Sequence, residues 1–396
     1  MAKPSAKSPQ LMRRVNARLV ARFALETDEF TASDAISATD LTRATVLGVC
    51  ADLVSDGWLE EAAPAPNAGM KGRPALRYHL SRAAGVVVAL DADEHQFLAR
   101  VADLRGTALG GARVAVEGRE SGPDARAAAA RRTIHDALAD AGRAATDVLL
   151  TVVGIPAPTD ASGRSPAGDR DFWSVMNAHL AEVLDGATIV ENDANLAALA
   201  ERAQVSDAGT TIATLLTGER LGSGLVVDGR LIRGPHGGAG EMRFLRLMFP
   251  EEQATDGFGA LARDWARREL AGGDEPSTLR VLPPAELTAE DVFSAAAAGD
   301  PLAGRIAAQL GDRLARIAFA LGSLLDVERV VVCGTLAPAM EPVLETARAA
   351  LGSAFEPPVP ELAASHLGGD VVVAGAIRRA LATVHDDPLQ FLPRPR

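Results

Sequence analysis

The chain has 396 residues, too many for one ordinary core and enough for two or three domains. Its charge is uneven: 11 basic residues face 9 acidic ones through Arg82, and 29 face 43 beyond it, so a slightly basic head joins a strongly acidic body. That body disfavours non-specific nucleic-acid binding; Cys50 and Cys333, each in an apolar run, exclude a disulfide framework; and no stretch reads as a secretion signal or membrane span, so a cytoplasmic protein is expected.

In chain order, Leu11, Val15, Leu19 and Phe23 recur every four positions and predict one apolar face of a supporting helix, with Arg14, Arg18 and Arg22 on another face. Thr31 is positioned to cap a second helix, with Asp34 three residues on as a capping box. After the turn Ala38 to Leu41, a third helix starts at the cap Thr42, with Val46, Val49, Cys50 and Leu53 inward and Thr42, Arg43, Ala44, Thr45, Leu47 and Gly48 outward. Ala62 to Lys71 reads as a hairpin loop, and Leu76, Tyr78 and Leu80 alternate with Arg77 and His79 as in a half-buried strand. Helix, turn, helix and hairpin make a winged helix-turn-helix over residues 1–82, which places the third helix in the major groove of double-stranded operator DNA. The DNA contacts fall to Thr42, Arg43 and Thr45, with Ala44 or Leu47 against thymine methyls, and to Lys71, Gly72 and Arg73 on the wing, where a guanidinium suits a narrow minor groove. The bland alternatives are a solvated three-helix bundle and a simple strand-initiating turn.

Beyond Arg82 strands alternate with helices, which is the pattern of an α/β fold. Strands are predicted at Gly85 to Leu90, Gln96 to Leu104, Val148 to Ile155, Ala187 to Val190, Thr211 to Leu216, Gly224 to Val227 and Arg329 to Val332. Helices are predicted at Asp124 to Ala145, through Glu201, at Pro301 to Leu325 and at Glu341 to Leu351, with a surface excursion over Ala271 to Leu287. Glu191 to Asn195 is a polar cluster just past a strand's carboxyl end, where α/β proteins take ligands. Gly234 to Gly240 is a glycine-rich loop ending in the carboxylate of Glu241. Asn192 and Asp193 read equally well as a helix cap. His95 and His236 are lone histidines without ligand spacing.

Thr42 to Leu53 with Gly72-Arg73-Pro74, then Glu191 to Asn195, Gly222 to Gly229 and Ala239-Gly240-Glu241, resemble in this order the ROK family of repressors and sugar kinases. The resemblance implies an α/β protein in which the N-terminal winged helix-turn-helix is followed by a two-lobed actin-like (RNase H-like) sugar-kinase-type ATPase fold. The expected first lobe covers 83–195, completed by a C-terminal helix at 376–392, and the second covers 196–375 with an oligomerisation surface for a homodimer or homotetramer. The resemblance also assigns sugar hydroxyls to Asn192, Asp193 and Glu241, with Asp193 in the place of the kinases' general base.

Departures from the family pattern bear on chemistry. Asp91-Ala92-Asp93-Glu94-His95 stands where the kinases carry an Asp-x-Gly-Gly-Thr phosphate loop, and Glu219 and Arg220 replace Thr and Gly of the second loop. Carboxylates in a polyphosphate's place repel it. Arg243 and Phe244 replace the Gly and His of the sugar and zinc motif, and the zinc cysteines are missing, so neither a metal nor another cofactor is expected. The reading that follows is a non-enzymatic repressor that senses a sugar or sugar derivative. A ligand-free DNA-binding scaffold and an ATP-dependent sugar kinase are the alternatives.

Overall fold

The computed structural model describes residues 9–62, 75–117, 122–166, 172–207, 209–249, 253, 255–273 and 275–391. The head comprises α1 (Pro9–Glu26), β1 (Phe30–Thr31), α2 (Ala32–Thr39), α3 (Arg43–Ser55), β2 (Leu59–Ala62) and β3 (Arg77–Leu80), with the strands ordered β1-β3-β2. Thr31 accepts the Asp34 N–H while Asp34 takes back the Thr31 N–H at 2.7 Å, a complete capping box that starts α2. Asp40 closes α2 in the left-handed region and turns the chain toward α3. Val46, Val49, Cys50 and Leu53 are all buried, as their spacing predicts.

The face predicted for α1 is corrected. Val20, Ala21, Ala24 and Leu25 are the buried residues, whereas Val15 and Leu19 are 42% and 39% exposed, Phe23 is half-buried, and the Leu11 side chain lies outside the described set. A strict four-residue spacing drifts around a helix of 3.6 residues per turn. The alanines let α1 approach the neighbouring helices closely.

The first lobe carries β4 (Val86–Ala92), β5 (Gln96–Asp103), β6 (Ala108–Ala115), α4 (Gly122–Asp140), β7 (Val148–Ile155), α5 (Phe172–Asn177), α6 (Leu180–Val183) and β8 (Thr188–Asn192), in the sheet order β6-β5-β4-β7-β8. Then follow α7 (Asp193–Arg202), β9 (Ile212–Thr217), β10 (Leu221–Val227), β11 (Arg230–Ile232), α8 (Leu245–Met248), α9 (Phe258–Gly272), α10 (Ala289–Ala297), α11 (Pro301–Leu325), β12 (Arg329–Cys333), α12 (Glu341–Ala354), β13 (Glu361–Ala364) and α13 (Val371–Asp386). The second sheet is ordered β11-β10-β9-β12-β13. Both sheets therefore run three antiparallel strands, then two parallel additions, in the same spatial order. This is the duplicated α/β architecture of the actin-like sugar kinases. The repeat lies in topology and leaves no tandem signature in the sequence.

Strand β6 escapes sequence reading because Gly110 and Gly111 break its pattern. A Cβ on Gly110 would lie 2.5 Å from the Ala141 amide nitrogen, so the end of α4 packs directly on this strand. The C-terminal helix begins at Val371, five residues before the expected start, and packs against β4, β7 and α7. One apolar cluster runs from Val20 and Trp58 of the head through Val87 and Leu104 to Val372 and Val384. The head is thus seated on the body, fastened also by Arg105 to Asp28 at 2.7 Å and Arg18 to Asp386 at 3.1 Å.

Candidate functional site

Two regions carry the expected site residues: the outer side of α3 and the cleft between the lobes. On α3, Thr42 is the N-cap; its hydroxyl accepts the Thr45 N–H at 3.3 Å and lies 2.9 Å from the Thr45 hydroxyl. Thr42, Arg43, Ala44, Leu47 and Gly48 are exposed and Thr45 is half-buried, so the predicted reading face does point outward. Lys71, Gly72 and Arg73 of the wing lie outside the described residues.

The cleft encloses about 560 Å³, and Asn192, Asp193 and Glu241 all line it. Strand β8 ends at Asn192, whose side-chain oxygen caps α7 by accepting the Asn195 N–H at 3.0 Å while its amide donates to the Ala157 carbonyl at 3.3 Å. The capping role therefore holds for Asn192, and its side chain is largely committed. Asp193 opens α7 and accepts the Ala194 N–H at 2.7 Å. Burial, aided by the Asp93 and Glu241 carboxylates, pushes the Asp193 carboxyl up to about 8, and burial likewise holds Asp91 well above the usual range. Near neutral pH Asp193 is thus mostly protonated and can donate a hydrogen bond to a ligand hydroxyl as well as accept one.

Glu241 reaches the cleft because the loop before it is pinned on both sides. Buried Glu191 binds the Arg233 guanidinium at 2.6 Å and also accepts the Asn195 side-chain amide at 2.9 Å. Gly237, at φ +68°, presses against the first lobe so closely that a Cβ would sit 2.0 Å from the Thr159 carbonyl oxygen.

The β4–β5 turn and the β9–β10 turn occupy equivalent places in the two sheets and face the same cleft. Behind the first, Arg126 of α4 is buried and donates to the carbonyls of Ala92 and Asp93 at 2.9 Å and of Glu94 at 3.3 Å, with its guanidinium 4.8 Å from the Phe97 ring centroid. Asp91, Asp93 and Glu94 line the cleft in front. At the second, three of the N–H groups at the start of α9 already have acceptors. Gly257 donates to the Glu219 carbonyl at 3.0 Å, Phe258 to the Thr217 hydroxyl at 3.1 Å and Ala260 to the Gly218 carbonyl at 3.3 Å. The Glu219 carboxylate is held by Arg263, and the Arg220 guanidinium lies 3.7 Å over Phe172. Among the described residues no group of three or more His, Cys, Asp or Glu is arranged to hold a metal.

Sequence reading missed Arg126, Arg233, Arg246 and Trp173. Arg126 and Trp173 give no local signal: one sits in an alanine-rich helix, the other follows a stretch of sequence rich in Gly, Ser and Pro. The substitution at Arg243 was legible, but the cleft-facing placement of Arg243 and Arg246 was not.

Comparison with known proteins places these features in context. A profile of the ROK family matches residues 87–382. The chain is 29% identical over 225 residues to the bifunctional enzyme NanE/NanK of Brucella suis biovar 1 (strain 1330), covering 52% of this chain and 40% of that protein. It is 33% identical over 195 residues to a glucokinase of Halalkalibacterium halodurans, covering 45% of this chain and 57% of that protein. The chain thus spans about half the length of these relatives. Among solved structures, a ROK family transcriptional regulator described as a homolog of the E. coli MLC protein aligns over 96% of this chain and 99% of its own, with TM-score 0.71 and 20% identity. A ROK family glucokinase from Streptomyces griseus, solved with glucose and AMPPNP, aligns over 74% and 99%, with TM-score 0.59 and 22% identity. Both likenesses are of fold, and the regulator's extends over more of the chain.

Proposed function

The chain belongs to the ROK family, and from that membership we propose that it is a transcriptional regulator, a repressor that binds operator DNA and responds to a sugar or sugar derivative without phosphorylating it. The observation that carries the reading is the combination of a three-helix, hairpin-bearing head with a cleft lined by Asp91, Asp93, Glu94 and Glu219 at the two turns where the family's kinases carry their phosphate loops. In this reading Thr42, Arg43 and Thr45 of α3 contact the major groove, and Lys71, Gly72 and Arg73 grip the flanking minor groove. Asp193 and Glu241 meet sugar hydroxyls, with Asn192 shaping the floor. Two chains or four present paired heads to a two-fold operator. No helix among the described residues is long and apolar enough to cross a membrane, and action on DNA puts the protein in the cytoplasm.

Helix α13 supports coupling between the two regions. Its first residues, Val371 and Val372, line the cleft, while Asp386 at the far end holds Arg18 of α1 and His385 lies 3.0 Å from the Leu104 carbonyl. Gly375 lets it touch α7, the helix that Asp193 opens, so closely that a Cβ would lie 1.9 Å from the Leu196 carbonyl oxygen. A ligand that favours one lobe arrangement therefore has a stiff route to the head.

Footprinting of genomic fragments with the purified chain at physiological salt tests the reading. Protected sites whose occupancy changes with a sugar support it, and sugar binding without any DNA protection rejects it. A second reading, sugar kinase, is favoured by the enzymatic names of the curated relatives and by Asp193 in the base's position. ATP-dependent phosphorylation that disappears in Asp193→Ala would establish it.

A further inference from the structure

The ligand's chemical class is written in two arginines on the cleft wall, and the argument rests on the cleft being a sugar site. Arg243 and Arg246 both line the cavity shared by Asp193 and Glu241. The Arg246 N–H lies 3.3 Å from the Arg243 carbonyl, so the two are one turn apart. Met242, at φ +46° and buried, anchors the backbone between Glu241 and Arg243 in a left-handed turn.

Both arginines are exposed, and neither has a carboxylate within salt-bridge distance among the described residues, although Asp93, Glu94 and Glu241 line the same cavity. Two acids near the cleft are matched by a cation, Glu191 by Arg233 and Glu219 by Arg263. Two guanidiniums left facing a cavity in so acidic a body point to an anion supplied from outside, and the planar fork of arginine suits phosphate and carboxylate oxygens. Trp173 lies at the same wall, with the Arg243 guanidinium 5.8 Å from its ring centroid, and offers an apolar surface to the C–H face of a pyranose.

We infer that the cleft takes an anionic monosaccharide, a sugar bearing a phosphate or a carboxylate, whose charged group is held by Arg243 and Arg246 while its hydroxyls meet Asp193 and Glu241. The upward shift of the Asp193 carboxyl lessens the repulsion such a ligand meets. A neutral hexose leaves both guanidiniums unmatched.

The test is calorimetric titration of the full chain with matched sets: glucose, galactose, mannose and N-acetylglucosamine, the 6-phosphate of each, and glucuronate and galacturonate. The expected result is one anionic member binding at least tenfold more tightly than its neutral parent; whether it is a phosphate or a uronate identifies the group. Arg243→Gln and Arg246→Gln should each weaken that member about ten- to a hundredfold and narrow its advantage over the parent. Unchanged urea midpoints are expected, since both side chains are exposed, and verify that the variants fold. A neutral sugar that binds as tightly as its charged derivative, with no loss in either variant, overturns the inference and leaves the sugar-site reading intact. If no member of any set binds, the sugar-site reading falls, and the inference with it.

Discussion

The Arg233 guanidinium meets the buried Glu191 carboxylate at 2.6 Å, and this pair fastens the second lobe's glycine loop to the edge strand of the first lobe's sheet. Because Glu191 precedes Asn192 and Asp193 directly and the loop ends in Glu241, this ion pair ties together the two segments that carry the cleft carboxylates, alongside the close contact of Gly237 with Thr159.

Arg233→Ala should therefore lower stability by about 2–3 kcal/mol, somewhat below the usual cost of orphaning a buried charge because Arg233 is partly exposed. Urea denaturation measures this. Adding Glu191→Gln should recover part of the loss, and additive losses would show that the pair is not coupled.

The raised Asp193 carboxyl predicts a pH dependence. Its folded value of about 8 exceeds the ordinary 3.8, so between those limits the folded state holds a proton that the unfolded state has released. The associated stability is fully present below pH 3.8, falls as pH rises and is gone above about 8. Asp193→Asn keeps the Ala194 contact and removes the titration. Measured against the wild type, its relative stability should climb from pH 5 to pH 8 and then level off; a flat difference would assign the site an ordinary carboxylate.

Arg126→Ala should cost about 2–4 kcal/mol, because the carbonyls of Ala92, Asp93 and Glu94 lose their common donor. Amide hydrogen exchange should accelerate over residues 92–96. Slow exchange there in the variant would mean that the turn holds itself.

Two glycine substitutions should behave oppositely. Gly375→Ala drives a methyl into the Leu196 carbonyl and should destabilise by about 1–3 kcal/mol, separating α13 from α7. Gly352→Ala, on α12 with no atom within 4 Å of the new Cβ, should be neutral or stabilising by up to about 1 kcal/mol. Thermal melts of the two variants suffice, and equal midpoints would contradict the packing described here.

In the head, Thr42→Ala removes the cap of α3 and should cost about 1 kcal/mol. Arg43→Ala removes an exposed side chain and should leave the melting point in place while reducing the salt dependence of DNA binding by about one counterion. An Arg43→Ala protein with unaltered salt dependence would place the DNA contact elsewhere.

Much of the fold could be read along the chain because burial follows local spacing. The cap at Thr42, the inward set Val46, Val49, Cys50 and Leu53, the strand Val148–Ile155 and the helix Pro301–Leu325 all stand where their patterns put them. Reading failed where a residue's partner is distant. The α1 face was misassigned because which side of a helix is buried depends on what packs against it, and the small Ala21 and Ala24 admitted close neighbours that Val15 and Leu19 would not. Strand β6 was missed because Gly110 and Gly111 answer to the end of α4.

By itself the sequence determined the order of elements, the family pattern and the altered phosphate-loop residues, since each is a matter of residue type at fixed separation along the backbone. Only the tertiary structure decided that Arg126 stakes the acidic turn from behind, that Arg233 joins the lobes, that burial raises the Asp193 carboxyl, and that Arg243 and Arg246 face the cavity. Those properties arise from charges brought together, or withdrawn from water, by segments tens to hundreds of residues apart. Electrostatic energy depends on distance and solvation, and neither is written in the separation between residues along the chain.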